Sequence, residues 1–210
     1  MKLLIIGGTG KTGRQLIQQG LEQGYQLTVL ARNPAKVKVG HSNLSVLKGN
    51  VLEPETLAEA FQGQDAVLSA LGHKQFFIKT SILSRGTANI IKAMRNSGVN
   101  RLVCITSLGI NDSRFRLGLY YTLFTIPLIL FFYFRDKAKQ EKLIMNSELN
   151  WTIVRPGQLF DGKKRMKYKL GPEVGHYILT KFVSRADVAH FMLQEVQQND
   201  YLKKAVGITY

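Results

Sequence analysis

Cysteine is almost missing from this chain: Cys104 is the only one in 210 residues. An intrachain disulfide and a cysteine-based zinc site are both excluded, and such usage fits a reducing, cytoplasmic setting. Proline is scarce too, 5 residues against 19 glycines, which excludes proline-rich linkers and collagen-like repeats. His41, His176 and His190 fall at no metal-ligand spacing, so no metal is expected. Acidic residues are the third shortage. Against 29 Lys and Arg stand only 14 Asp and Glu, a net charge of +15. A surplus that large favours anionic partners: a phosphorylated cofactor, nucleic acid or an acidic membrane face. No helix-turn-helix or RNA-binding signature accompanies the charge, and no nucleic-acid partner is expected.

What remains is an ordinary folded composition, 45% hydrophobic and 20% charged, long enough for one domain. Leu3-Leu4-Ile5-Ile6 is a short, wholly apolar run, as in a strand buried on both faces of a parallel sheet. It is too short for a secretory hydrophobic region, so a strand rather than a signal peptide is expected there. Leu16, Ile17 and Leu21 then recur at helical spacing, and Leu27–Leu30 is the next strand. Further strands are expected at 44–47, 65–71, 102–106, 151–154 and 205–209, with helices at 54–61, 78–97, 138–146 and 185–196. Strand and helix in alternation predict a single Rossmann-type, doubly wound parallel α/β sheet. The Gly- and Lys-rich stretch 157–183 breaks the rhythm and is expected to form a small C-terminal substrate lobe.

Between the first strand and helix lies Gly7-Gly8-Thr9-Gly10-Lys11-Thr12-Gly13. Glycines at 7, 10 and 13 permit a tight turn and close approach of a pyrophosphate to the helix N-terminus. A Walker A loop is excluded, because Ile5 occupies the position of its first glycine. The second strand ends in Ala31-Arg32-Asn33-Pro34-Ala35-Lys36. An acidic residue there would accept from the adenosine ribose of NAD. Arg32 instead suits a 2′-phosphate, with Lys36 as a second charge, and NADP(H) is the expected cofactor.

With these residues in view, the chain resembles the atypical short-chain dehydrogenase/reductases, near the flavin reductase/biliverdin-IXβ reductase branch and the NmrA-like NADP-binding proteins. Further markers are Gly49-Asn50-Val51-Leu52, Gly63–Val67, Ala70-Leu71-Gly72, Thr106-Ser107 and Trp151-Thr152-Ile153-Val154-Arg155-Pro156-Gly157. The resemblance implies cofactor contacts from the loop residues Gly7, Thr9, Gly10, Lys11, Thr12 and Gly13, with Arg32 on the 2′-phosphate. It places adenine beside Asn50 and Val51, Leu71 and Gly72 along the cofactor path, Thr106 and Ser107 at the nicotinamide end, and Pro156 and Gly157 at the far wall.

Many members of the wider superfamily use a Ser with a Tyr four residues before a Lys, the Lys orienting the ribose and easing proton exchange at the phenol. Tyr133-Phe134-Arg135-Asp136-Lys137 has that spacing, and Ser107 ends the fifth strand. Ser107, Tyr133 and Lys137 are therefore the candidate catalytic residues. The flavin/biliverdin branch generally lacks this tyrosine, and Tyr133 also closes the aromatic run Phe131–Phe134, so simple packing is the competing reading. His73 and Lys74 are candidate rim contacts. The resemblance implies an NADPH-dependent reductase acting on a small, planar, anionic acceptor: a flavin, a biliverdin-like tetrapyrrole or a quinone. The alternative is a non-catalytic NADP(H) sensor or scaffold of the NmrA-like kind.

Leu117–Phe134 carries no charge. Pro127 within it argues against a membrane span, and two short helices capping the substrate pocket are expected. The competing reading is a peripheral dock on an acidic membrane, because Arg114, Arg116, Arg135, Lys137 and Lys139 flank the run. The basic run 163–169 is a second candidate for an anionic substrate or lipid surface.

Overall fold

The computed structural model of the chain describes residues 1–210. Strand β1 (Lys2–Ile6) leads through α1 (Lys11–Glu22) to β2 (Gln26–Ala31) and β3 (Leu44–Lys48). The single turn α2 (Ala58–Phe61), β4 (Ala66–Ser69), α3 (Ile82–Ser97) and β5 (Arg101–Ile105) follow. The second half supplies α4 (Phe131–Met145), β6 (Asn150–Pro156), β7 (Gln158–Phe160) and β8 (Lys169–Gly171). It closes with β9 (Phe182–Ser184), α5 (Arg185–Gln198) and β10 (Lys204–Thr209). Across the main sheet the order is β3-β2-β1-β4-β5-β6-β10-β8, parallel throughout except for β8 on β10. Strand order reverses between β1 and β4, and the crevice at the strand ends there is where such sheets place ligands.

Helices on both faces explain the apolar first strand. Leu3 and Ile5 join a core with α1 and α5, whereas Leu4 and Ile6 pack on the side of α3 and α4. Successive side chains of a strand point to opposite faces, so a strand covered on both sides needs apolar residues at every position. Each such buried Leu or Ile contributes about 1.5–3 kcal/mol. α5 begins at Ser184, whose hydroxyl accepts from the Asp187 amide. The Asp187 carboxylate in turn accepts from the Tyr210 phenol and the Arg165 and Met166 amides, which ties the basic loop to the sheet edge.

Three expectations need correction. The helix expected over 54–61 is a 3₁₀ turn at Pro54–Thr56 followed by the single turn α2, and α3 starts at Ile82 rather than 78. In the stretch 157–183, expected as a small lobe, β8 joins the edge of the main sheet and β7 pairs with β9 in a two-stranded sheet. Within the apolar run 117–134, a wide, π-wound stretch (Tyr121–Leu130) continues directly into α4, where two short helices were expected. The proline ring of Pro127 would strike the preceding-turn carbonyl of an α-helix, and wider winding relieves that clash. Nor does the run bury itself as a cap, since Leu128 is 72% exposed. No helix is long and apolar enough to cross a membrane.

Candidate functional site

The glycine loop owes its shape to contacts that no larger residue permits. Gly7 has φ +81°, and a Cβ there would stand 2.5 Å from the Ala70 carbonyl oxygen at the end of β4. A Cβ at Gly13 would lie 2.2 Å from the Gly7 oxygen and 2.6 Å from the Gly8 Cα, so α1 is pressed against the loop itself. Gly10 differs: it is exposed and its Cβ would meet only the Gly7 oxygen, at 3.2 Å. Its backbone faces outward at the start of α1. That helix has no side-chain cap and no carboxylate in its first turn, unlike α5 with Ser184 and Asp187. Unpaired amides and a partly positive helix end are thus left open to an anion. Thr9 is half-buried beside them and Thr12 is buried. Lys11 reaches across to Asp161, just beyond β7, and Asp161 also pairs with Arg185 at the start of α5. These two cations hold the Asp161 carboxyl below its usual range, the Lys11 hydrogen bond contributing most.

At the end of β2, Arg32 and Lys36 are exposed and neither engages a carboxylate. Asn33 caps the turn Pro34–Lys36 by accepting from the Ala35 amide. Asn50 spends its side chain on its own turn, donating to Glu53 and accepting from Leu52. Val51 and Leu71 both pack over Gly86 of α3, where a Cβ would approach them to 2.8 and 3.1 Å. The Val51 carbonyl is held by Asn89.

The other end of the crevice is built by α4. A Cβ on Gly72, two residues beyond the Ala70 carbonyl that touches Gly7, would stand 3.6 Å from the Tyr133 phenol oxygen. The glycine loop, Ala70-Leu71-Gly72 and Tyr133 therefore form one continuous path. The Tyr133 hydroxyl has no hydrogen-bond partner in the protein. His73 and Phe76 meet the Tyr133 ring edge-on, with centroids 4.8 and 5.4 Å away. One helical turn on, Lys137 sets its ammonium 5.3 Å from the centre of the same ring. Lys137 is only 5% exposed, yet it makes no ion pair and no hydrogen bond. The side chain is largely covered while its ammonium, which has no acceptor in the protein, stays open to ligand oxygens. Burial depresses the His73 pKa, with Lys137 reinforcing the shift and Asp136 opposing it. Its Nδ1 accepts from the Gln75 amide, so Nε2 carries the proton and donates to Thr80.

Residues between Tyr133 and Lys137, and just after them, anchor this face of α4. Asp136 accepts from the Leu83 and Ser84 amides and the Ser84 hydroxyl, capping α3 from a neighbouring helix. Glu141, fully buried, accepts from Thr106 at 2.7 Å, Asn111 at 2.8 Å and Arg155 at 2.8 and 2.7 Å. Arg155 also grips Asp112, whose carboxyl falls below its usual range chiefly through that hydrogen bond. Thr106 thus commits its hydroxyl to the fold, while Ser107 beside it is half-buried and makes no side-chain hydrogen bond. Pro156 and Gly157 are buried at the end of β6, and a Gly157 Cβ would stand 2.4 Å from the Lys181 oxygen. Sequence reasoning missed Asp136, Asp161 and the Glu141–Arg155 pair. Only Glu141, one turn beyond Lys137, left a trace in the spacing.

Two cavities lie off this path. One, of about 480 Å³, is walled by the Lys169–His176 segment with Thr209 and Tyr210. The other, of about 340 Å³, lies on the opposite face of α4 and is lined by Arg114, Ile126, Pro127, Phe131, Phe134 and Arg135. Neither cavity is lined by Gly10, Gly72 or Tyr133.

Residues 7–199 match the family described as NAD(P)H-binding, a span from the glycine loop to the end of α5. The chain belongs to that family. Its sequence is 29% identical to an uncharacterized chloroplastic protein of Arabidopsis thaliana, over 99% of this chain and 76% of that one. The photosystem II assembly factor Ycf39 of Synechocystis is 31% identical over 51% of this chain, which spans only 34% of that protein. Among solved structures, the anaerobillin reductase ChuY of Escherichia coli O157:H7 superposes with a TM-score of 0.83 at 21% identity, covering 100% of this chain and 97% of that one. This NAD(P)H-binding family member accordingly has a Rossmann-like fold. Its residues fit a nicotinamide dinucleotide on structural grounds as well: glycines where backbone approach is closest, an open α1 N-terminus, and the Lys137 ammonium lacking an acceptor in the protein.

Proposed function

We propose that this protein is an NADPH-dependent reductase that passes hydride to a small, planar, anionic acceptor such as a flavin, a biliverdin-like tetrapyrrole or a quinone. The reading is carried by the pair Tyr133 and Lys137, held at Gly72 on the path that starts at the glycine loop. Gly10, Lys11 and Thr12 would hold the pyrophosphate. Arg32 and Lys36, free of carboxylates at the end of β2, would take the 2′-phosphate that distinguishes NADP from NAD. Val51 and Leu71 would flank the adenine side. Bound there, the dinucleotide supplies the hydride.

The chain's own residues supply position, dryness and a proton. Lys137 orients the nicotinamide ribose with its otherwise unpartnered ammonium. Tyr133, whose hydroxyl is unengaged, delivers the proton that accompanies hydride to the acceptor and regains one from solvent. Ser107, two residues beyond β5, fixes the acceptor's polar edge. Holding donor and acceptor together provides much of the acceleration. A shared fold with an anaerobillin reductase makes open tetrapyrroles, beside FMN, the first acceptors to try.

The test is NADPH oxidation followed at constant enzyme with FMN and with biliverdin, in the wild type, Tyr133→Phe and Lys137→Met. Acceptor-dependent oxidation is expected, with kcat reduced by about 10²–10⁴-fold in Tyr133→Phe and a raised NADPH KM in Lys137→Met. Tight NADPH binding without oxidation of any acceptor would turn the reading toward an NADP(H) sensor.

A further inference from the structure

Two segments far apart in sequence come together on one exposed apolar surface. The Leu119 amide donates to the Ile178 carbonyl at 3.0 Å, and Leu117 bridges His176. A Cβ at Gly118 would stand 2.8 Å from the Thr180 nitrogen, so the two backbones are in direct contact. From the helical run, Tyr120, Leu123, Phe124 and Leu128 face solvent; from the loop, Tyr177, Ile178 and Leu179 do. Leu128 at 72% and Ile178 at 65% exposed mark the two ends of the range of segments involved. An apolar surface drawn from two segments is not the scatter of single residues found on every protein, and patches of this kind mark interaction sites.

Basic residues dominate the charge around it, although Arg116 pairs with Glu173 and Arg185 with Asp161. No Asp or Glu occurs from Ser113 to Arg135, or from Val174 to Ala186. Within the same stretches stand Arg114, Arg116, Arg135, Lys181 and Arg185. Arg114 and Arg135 border the cavity beneath the helical run, with Ile126 and Phe131, and Arg116 lies over the Tyr177 ring. A second copy of the chain would bring Arg114, Arg135 and Lys181, which have no carboxylate partner, against their own equivalents. An acidic bilayer offers hydrocarbon to the apolar centre and phosphate to the basic rim. Tyr120 and Tyr177 have the amphipathic rings that sit well at headgroup depth. We infer that the face built from residues 115–131 and 176–182 docks on an anionic lipid surface, lying on the membrane rather than crossing it.

This inference is independent of turnover and is tested without it. The wild type and a Leu123→Ser/Leu128→Ser/Ile178→Ser variant are floated with phosphatidylcholine vesicles, with and without about 30 mol% phosphatidylglycerol, at low and high salt. Thermal melting checks that the variant is folded, and gel filtration reports self-association. Wild type is expected on the anionic vesicles only, released in part by salt, with partition at least about tenfold weaker in the variant. Absence of wild-type binding to anionic vesicles would overturn the inference. So would a variant that binds them as well as wild type, which would move the contact to another basic surface. A concentration-dependent dimer that the variant dissolves, in place of vesicle binding, would reassign the face to self-association.

Discussion

Gly13→Ala is the substitution whose effect follows most directly from the loop geometry. The added Cβ would stand 2.2 Å from the Gly7 oxygen, 2.6 Å from the Gly8 Cα and 2.8 Å from the Gly7 carbonyl carbon. All three are backbone atoms, so no side chain can swing aside, and either α1 or the loop must retreat by about an ångström. The loop cannot move the other way, because Gly7 already lies against the Ala70 carbonyl. Overpacking of this kind costs about 1–3 kcal/mol. For a chain of this size that lowers Tm by about 2–12 °C. Displaced amides would also miss a pyrophosphate, so NADPH affinity should fall by at least about tenfold. Gly40→Ala is the control, since no atom lies within 4 Å of its Cβ. Thermal melting and a fluorescence titration of NADPH read both effects. A Gly13→Ala protein that melts and binds like wild type, alongside a silent Gly40→Ala, would refute the account of the loop.

Other predictions rest on separate parts of the structure. Arg32→Glu should shift binding preference from NADPH toward NADH, and an unchanged preference in paired titrations would remove Arg32 from the site. Asp161→Asn frees Lys11 from its carboxylate, so NADPH should bind a few-fold more tightly; weaker binding would mean that Asp161 positions Lys11 instead of competing for it. Glu141→Gln deprives the buried Arg155 of one counter-charge, a loss of about 3 kcal/mol and a Tm lower by about 6–12 °C. A shift under about 2 °C would show that Asp112 alone suffices. Burial pushes the Cys104 thiol up to about 11, so it should resist alkylation at pH 8 until the protein unfolds, and rapid labelling of folded protein would contradict its placement. Asp112 is held below the usual carboxylate range by Arg155, and Asp187 by the Tyr210 phenol and the Arg165 and Met166 amides despite its burial. Both carboxyls are more acidic folded than unfolded, so their stabilisation is complete above about pH 4 and is lost as pH falls below it. Acid titration of Tm checks the sign.

The strands and the glycine loop were legible because their causes are local. A strand covered on both faces must be apolar at every position, as β1 is, and a helix pressed on its own loop must have glycine at position 13. Arg32 and the Tyr133–Lys137 spacing were legible for the same reason, as residue types at fixed offsets. Asp136 capping α3 from α4 was not, because its partners lie more than 50 residues away. Nor was Asp161 joining Lys11 to Arg185, across 150 residues in one case. The apolar run was read in length and charge but not in placement. Whether Tyr120 or Leu128 is covered depends on what the fold brings against it, and here that is only the 176–182 loop on one side.

A crystal structure with NADP⁺ bound tests the central claim most directly. Expected are the pyrophosphate at the Lys11 and Thr12 amides, the 2′-phosphate on Arg32, and the nicotinamide ribose on the Lys137 ammonium with the Tyr133 hydroxyl beside the ring. A nicotinamide end lying away from Gly72, with Lys137 still lacking an acceptor, would contradict it.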